Sequence, residues 1–159
     1  IIRRAPAVEF TEKDWDDVLT INSKTVFFLS QAAGRDMMKR RYGKIINVAS
    51  MLSFQGGIRV PSYTASKSGV IGLTRLLACE WAKRRINVNA IAPGYYRTDM
   101  AADFLDSAAG QQLRKRIPQR RLGNPEELDG AILLLASSAS SYMTGSVITV
   151  DGGLSLAIV

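Results

Sequence analysis

The strongest constraint on the fold is an alternation of helix-length segments with short, β-branched apolar runs. Residues 44–49 and 86–92 each follow a long helical pattern directly, and Val147–Val150 follows a third, shorter one. Strands joined through helices run parallel in right-handed crossovers, with helices covering both faces of the sheet. The sequence therefore predicts an α/β fold with a doubly wound parallel sheet, of which three strands and their flanking helices are present.

The first predicted helix begins near Glu12. Thr11 supplies a hydroxyl at the N-cap, and Asp14 supplies a carboxylate three residues later, as in a capping box. Apolar residues then recur at helical spacing to about residue 41, with a break near Asn22. We therefore expect one long amphipathic helix that is interrupted in its middle.

Two further helices follow from the same reasoning. Residues 62–85 contain no proline and are dominated by small or apolar side chains, which predicts a second long helix. Asn124 and Pro125 form a favourable start for a third helix, which we expect to reach Ala136. The region between the second strand and the third helix is expected to be irregular, with short helical pieces.

Charge alone permits a nucleic-acid binder, because 21 basic residues face 14 acidic ones and the net charge is +7. The basic residues fall in short groups at predicted helix ends, at positions 39–41, 83–85 and 120–121. There they complement the helix dipole, and no aromatic residues alternate with them to stack on bases. A nucleic-acid partner is therefore the weakest of the alternatives, and we expect none.

The composition also bears on whether the protein binds a metal and on where in the cell it is located. The chain has no histidine and one cysteine, so we expect no metal site with nitrogen or sulfur ligands. Cys79 is expected to be a small buried side chain, since it lies among apolar residues of a predicted helix. No apolar run approaches the roughly 20 residues of a membrane span, and no signal peptide is recognisable. We therefore expect a cytoplasmic protein without a membrane partner.

Tyr63 and Lys67 are the first candidates for chemistry. They are four residues apart on a predicted helix, so their side chains share one face. A phenol titrates at about 10, and a fixed ammonium beside it favours its anion and prepares it for proton transfer. The spacing alone also fits an ordinary helix face. Ser50 strengthens the catalytic interpretation, because it follows a predicted parallel strand, at the edge where such sheets bind ligands.

Asn22, Ser50, Tyr63 and Lys67 match, in order and spacing, the catalytic tetrad of the short-chain dehydrogenases/reductases. The sequence Ile-Ala-Pro-Gly at 91–94 resembles the loop over the nicotinamide in the same family. The resemblance extends over essentially the whole chain and implies a Rossmann-like fold and an oxidoreductase. It also implies NAD or NADP as cofactor, and of the two we expect NAD.

The resemblance assigns a role to each member of the tetrad. Tyr63 would be the general acid/base, and Lys67 would promote its ionisation and bind the nicotinamide ribose. Ser50 would orient the substrate oxygen and stabilise charge on it. Asn22 would hold a water molecule that links Lys67 to solvent.

Further cofactor contacts are implied by the loop after the second strand. Thr98, together with backbone groups of Pro93, Gly94 and Tyr96, would hold the nicotinamide carboxamide. Without the resemblance, Pro93 and Gly94 would indicate only a turn, and Thr98 only a helix N-cap.

Residues 47–63 are most similar to the members of this family that oxidise sugar acids, the 2-deoxy-D-gluconate 3-dehydrogenases. Such a substrate carries a carboxylate, for which Arg59 is the candidate cation. Tyr95 and Met100 are expected to line the substrate pocket beside Ser50 and Tyr63.

Residue 1 is isoleucine, and the family's Gly-rich turn is not found in the sequence. We therefore expect residues 1–159 to be the catalytic C-terminal portion of one domain, whose cofactor-binding half precedes it. The expected assembly is a homotetramer formed through the two long helices. Two alternatives remain: a short-chain reductase acting on another substrate, such as a 3-oxoacyl carrier protein, and a silent fragment that serves only in oligomerisation.

Overall fold

A three-stranded parallel sheet lies at the centre of the computed structural model, which describes residues 1–97 and 107–156. Its strands are β1 (Gly43–Val48), β2 (Ile86–Pro93) and β3 (Val147–Val150), in the order β1-β2-β3. The predicted α/β architecture and all three predicted strands are confirmed.

β2 is the central strand of the sheet, and its mainly apolar sequence is consistent with that central position. Val48 of β1 pairs with Ile91, and Pro93 pairs with Val150 of β3. Five consecutive residues of β2 from Val88 onwards are buried, so this strand has no alternation of buried and exposed positions. A continuous buried run of this kind is typical of a parallel strand that is covered on both faces. The register brings the carboxyl ends of the strands to one edge of the sheet.

The helices alternate with the strands along the chain. They are α1 (Glu12–Leu19), α2 (Thr25–Arg40), α3 (Pro61–Trp81), α4 (Ala108–Arg116) and α5 (Asp129–Ala136). A π-helical segment (Thr20–Lys24) joins α1 to α2, and shorter 3-10 turns cover Ala7–Glu9, Met51–Ser53, Ala82–Arg84, Pro125–Leu128, Ser138–Ser140 and Leu154–Leu156. No helix among the described residues is long and apolar enough to cross a membrane.

The start and the interruption of the first predicted helix are both confirmed. The Thr11 hydroxyl accepts a hydrogen bond from the Asp14 backbone N–H at 3.1 Å and donates to the Asp14 carboxylate at 2.9 Å. The break near Asn22 is the π-helical segment, where one extra residue per turn displaces the helix face. This segment carries a candidate catalytic residue into the interior.

Two helix boundaries differ from the prediction. The third predicted helix is α-helical only from Asp129, and Pro125–Leu128 before it form a 3-10 turn. α3 ends at Trp81 and not near residue 85, because the chain tightens into a 3-10 turn and Arg85 closes it with a left-handed φ of 59°. As expected, the region between the second strand and the third predicted helix contains a short helical piece, α4, whose N-cap hydroxyl on Ser107 accepts from the Gly110 N–H. The basic pair at 120–121 therefore lies in a loop beyond α4 and not at a helix end.

Trp81 anchors the long helices against each other. Its side chain is buried with Leu77 and Ala78, next to β1 and β2. It lies so close to α2 that a Cβ added to Gly34 would come within 2.7 Å of the indole. Cys79, on the same helix, was expected to be buried but is exposed. The reason is the helical period: the buried positions 74, 77, 78 and 81 share one face, and residue 79 is rotated away from it.

An ion pair between Arg121 and Glu127 stabilises the turn that precedes α5. Glu127 accepts two hydrogen bonds from the Arg121 guanidinium, at 2.6 and 2.7 Å, and a third from the Asn124 backbone N–H at 2.8 Å. These donors, Arg121 first, lower the pKa of Glu127 from 4.5 to about 2. The carboxylate therefore stabilises the fold most when it is ionised.

Glu127→Gln is expected to lower the free energy of unfolding above pH 5, with an effect that disappears as the pH falls towards 2. The folded protein keeps Glu127 ionised to a lower pH than the unfolded chain does, so this stabilisation is complete above the unfolded value of 4.5 and is lost on the way to about 2. Urea unfolding of both proteins at several pH values measures the difference. Glu126→Gln controls for the loss of one negative charge, and a difference that stays constant from pH 6 to pH 2.5 would contradict the assignment.

Candidate active site

Three of the four predicted catalytic residues line one cleft. Ser50, Tyr63 and Lys67 face a space of about 570 Å³, together with Tyr95. Ser50 comes from the carboxyl end of β1, Tyr63 and Lys67 from the first two turns of α3, and Tyr95 from the end of β2. The cleft therefore lies at the edge where open parallel sheets bind ligands.

Ser50 is held by a set of serine hydrogen bonds. Its hydroxyl oxygen accepts from the Leu52 N–H at 3.2 Å, and its own N–H donates to the Ser53 hydroxyl at 3.2 Å. The Ser53 hydroxyl donates in turn to the Lys67 carbonyl at 2.7 Å, and Ser68 donates back to the Ser53 carbonyl at 3.3 Å. The end of β1 and the start of α3 are thus tied together at the point where their functional side chains meet.

Lys67 places a positive charge beside the phenol. Its Nζ donates to the Val48 carbonyl at 2.8 Å and lies 5.8 Å from the centre of the Tyr63 ring. Burial lowers the pKa of Lys67 from its ordinary value of 10.5, because water no longer solvates the ammonium fully. Among the described residues only Val48 accepts from this ammonium, so donors remain for a ligand in the cleft.

Asn22 lies behind the cleft and reaches it through a second residue. Its Nδ2 donates to the Ile1 carbonyl at 2.8 Å and to the Ser66 hydroxyl at 3.3 Å, and its Oδ1 accepts from the Ile1 nitrogen at 2.7 Å. The Ser66 hydroxyl donates to the Tyr63 carbonyl at 2.7 Å. Asn22 is buried and is connected to the Tyr63 backbone, so it can fix the start of α3.

The end of β2 brings the predicted cofactor loop to the same edge. The Gly94 N–H donates to the Val150 carbonyl at 3.0 Å, and a Cβ at Gly94 would lie 2.6 Å from the Asp151 Cβ. Only glycine allows this close approach. The Tyr96 hydroxyl also donates to Val150, at 2.8 Å, and burial raises the pKa of Tyr96. Pro93 is the last residue of β2, and its predicted cofactor contact stays a prediction, like those of Gly94 and Tyr96.

Thr98 and Met100 lie outside the described residues, and their roles also stay predictions. Tyr95 lines the cleft, as expected of a residue that contacts substrate. Arg59, the predicted carboxylate-binding cation, is exposed with a φ of 63°, and the cleft is lined by its neighbours Ile58 and Val60 and not by Arg59 itself.

Sequence reasoning missed two other cations. Arg4 and Arg116 line the cleft although they are 59 and 53 residues away from Tyr63 along the chain. No local motif marks either of them. Arg4 reaches the cleft because the next residue, Ala5, donates its N–H to the Arg59 carbonyl at 3.1 Å. The one sequence feature that could have suggested a cation here was the basic C-terminal end of α4, which includes Arg116.

The donors at this edge fit a nicotinamide cofactor better than a metal ion. Lys67 offers an ammonium and Tyr63 a hydroxyl, both of which suit the hydroxyls of a ribose. No group of three histidine, cysteine or acidic side chains that could hold a metal is found within residues 1–97 and 107–156.

Comparison with known proteins agrees with this geometry. A family model described as enoyl-(acyl carrier protein) reductase matches residues 1–155. The 2-dehydro-3-deoxy-D-gluconate 5-dehydrogenase of Dickeya dadantii (strain 3937) is 59% identical over 155 residues, which cover 96% of this chain and 61% of that protein. The chain therefore belongs to the short-chain dehydrogenase/reductase family.

Solved structures of sugar-acid dehydrogenases have the same fold. The gluconate 5-dehydrogenase of Burkholderia cenocepacia J2315, in complex with NADP and tartrate, is 40% identical with a TM-score of 0.96 over 99% of this chain and 62% of its own. An Agrobacterium tumefaciens protein with bound NADP, provisionally named a 2-deoxy-D-gluconate 3-dehydrogenase, is 51% identical with a TM-score of 0.93 over 97% of this chain and 63% of its own. The chain thus spans about three fifths of the length of the relatives it matches.

Proposed function

We propose that the chain is the catalytic C-terminal portion of an NAD(P)-dependent oxidoreductase that interconverts a secondary alcohol and a ketone on a gluconate-type sugar acid. The observation that carries this proposal is the meeting of Ser50, Tyr63 and Lys67 in one cleft whose other charged side chains, among the described residues, are Arg4 and Arg116. Proton transfer and the binding of an anionic substrate are combined there.

In the direction of oxidation, the Tyr63 oxygen accepts the proton of the substrate hydroxyl. The Ser50 hydroxyl donates a hydrogen bond to the same substrate oxygen and orients it. The Lys67 ammonium holds positive charge beside the phenol and contributes its free donors to the cofactor ribose. A nicotinamide whose ribose is held by Lys67 and Tyr63 would supply the hydride acceptor for oxidation and the hydride donor for reduction.

Asn22 has a supporting role in this proposal. Its side-chain amide links the segment before α1 to Ser66 of α3, and Ser66 holds the Tyr63 carbonyl. A water molecule that joins Lys67 to solvent would lie on this side of the site. The buried position of Asn22 in a π-helical turn supports the role, since such turns occur often at functional sites.

The proposal also concerns which carbon of the sugar acid is oxidised and whether NAD or NADP is the cofactor. The sequence favours a 2-deoxy-D-gluconate 3-dehydrogenase, whereas the name of the Dickeya relative refers to C5 of 2-dehydro-3-deoxy-D-gluconate. Both six-carbon acids carry the carboxylate that the cationic cleft suits. NAD is the expected cofactor from the sequence, and NADP is bound in the Burkholderia structure.

The test is a kinetic assay of the complete protein, followed at the absorbance of reduced nicotinamide. Both acids and D-gluconate, each with NAD and with NADP, form the substrate panel. We expect turnover of at least one of these acids, with a kcat/KM of about 10⁴ M⁻¹s⁻¹ or more. A 3-oxoacyl thioester serves as the competing substrate. Reduction of the thioester without oxidation of any sugar acid would overturn the substrate class and would leave the reaction type intact.

We also propose that the complete protein is a homotetramer. A groove between α2 and α3 is lined by Phe27, Leu76 and Trp81, and about half of Leu76 and Phe28 is exposed. Exposed apolar area of this kind indicates a protein interface. Size measurement in solution, together with NAD(H) titration, separates a working oxidoreductase from a silent oligomerisation module, which would assemble without cofactor affinity.

A further inference from the structure

The charges of the active-site cleft are of one sign. Arg4, Lys67 and Arg116 line it, whereas no aspartate or glutamate is found among its described lining residues. The charge of Lys67 is directed to Tyr63 and the Val48 carbonyl. Arg116 adds a guanidinium to the cleft lining, a group suited to bidentate contact with a carboxylate.

Arg116 is held in a fixed relation to Ser50. It is the last residue of α4, and the next residue, Ile117, is almost completely buried against Met51 and Leu154. Met51 follows Ser50 directly in the chain. The position of Arg116 relative to the reacting centre therefore depends on core packing and not on an unsupported loop.

The surroundings of Arg116 favour an anionic ligand. Leu113, one turn earlier on α4, and Leu154 line the same cleft, at whose edge the exposed Arg116 lies. Within the described part of the chain no acidic side chain forms an ion pair with Arg116, whereas Arg121 is fully engaged with Glu127. The Arg116 guanidinium can therefore contact a carboxylate that enters the cleft.

We propose that Arg116 binds the carboxylate of the substrate and is the residue that makes the enzyme select acids over uncharged polyols. This assignment rests on the proposed function and deepens it. It replaces Arg59 as the specificity-determining cation, because Arg59 is not part of the cleft lining. The substrate would then lie with its reacting oxygen at Ser50 and Tyr63 and its acid group at the end of α4.

The test compares a sugar acid with its own amide, for example D-gluconate with D-gluconamide, in the complete protein. Arg116→Gln is expected to lower kcat/KM for the acid about 100-fold and to change that for the amide less than threefold. Arg116→Lys should recover part of the loss. Lys115→Gln removes the same charge from the adjacent residue, which does not line the cleft, and should change neither substrate more than threefold. Equal losses on acid and amide, or no loss on the acid, would overturn the assignment.

A binding measurement separates this inference from the proposed function. If the wild-type protein oxidises no sugar acid, the proposed function fails, and calorimetric titration with tartrate still tests Arg116. Tartrate binding that is lost in Arg116→Gln and kept in Lys115→Gln supports the assignment. Equal tartrate binding by all three proteins, or none by the wild type, contradicts it.

Discussion

Tyr63→Phe is expected to lower kcat of the complete protein about 1000-fold while leaving its folding unchanged. The substitution removes one oxygen atom from a half-buried ring, and that oxygen is the group proposed to exchange a proton with the substrate. Ser50, Lys67 and the cleft remain, so substrate should still bind. Steady-state kinetics and cofactor titration measure the two effects separately, and urea unfolding checks that stability is retained.

Tyr142→Phe is the matched control, because the same atom is removed from a fully exposed tyrosine that does not line the cleft. It should keep wild-type kcat within twofold. Retention of more than a tenth of the activity in Tyr63→Phe would exclude Tyr63 as the acid/base and would direct attention to a water-mediated transfer.

Lys67→Met should lower kcat/KM by about 100-fold or more, since the cation beside the phenol and the donors for the cofactor ribose are lost together. The fold should survive, because the hydrogen bond lost to Val48 is offset by no longer having to bury a charged ammonium.

The half-buried Lys67 also makes the stability of the wild type depend on pH, and the sign of that dependence can be derived from its lowered pKa. The folded protein releases the Lys67 proton at a lower pH than the unfolded chain, so the stability of the wild type rises from that lowered pKa up to 10.5. The rise should be absent in the variant.

Lys44→Met is a close control for Lys67→Met. Lys44 lies at the other end of β1, burial lowers its pKa as well, and its Nζ donates to the Ser140 carbonyl at 3.1 Å. Its removal should leave kcat/KM within about threefold, whatever it does to stability. Equal loss of activity in the two variants would show that the effect comes from a disturbed strand and not from the charge at the site.

The sheet could be predicted because its signals are local. Each strand is a short β-branched run bounded by a helix and a turn, and a parallel arrangement then follows from the connections. The meeting of Ser50 with Tyr63 could be predicted for the same reason, since β1 and α3 are adjacent in sequence. The π-helical turn at Asn22 was visible only as a break in a helical pattern.

Other features depend on contacts that sequence does not record. Arg116 reaches the cleft because Ile117 packs against residues from two distant segments, and nothing in the composition of α4 indicates that contact. Cys79 lies among apolar residues in sequence, yet the helical rotation turns it outwards. The first error arises from packing between distant segments, and the second from the rotation of residue 79 away from the buried face of α3.

The serine hydrogen bonds around Ser53 divide the segment after β1 into a part that is fixed to α3 and a part that is exposed and not fixed by these bonds. The Ser53 hydroxyl donates to the α3 backbone and accepts from the Ser50 N–H, whereas Phe54, Ile58 and Arg59 are exposed beyond that attachment. Substitutions at the exposed positions Phe54 and Ile58 should therefore leave in place the Ser50 hydroxyl that is proposed to contact the substrate oxygen. The proposed catalytic hydroxyl and the exposed wall of the cleft at Ile58 can then vary independently of each other.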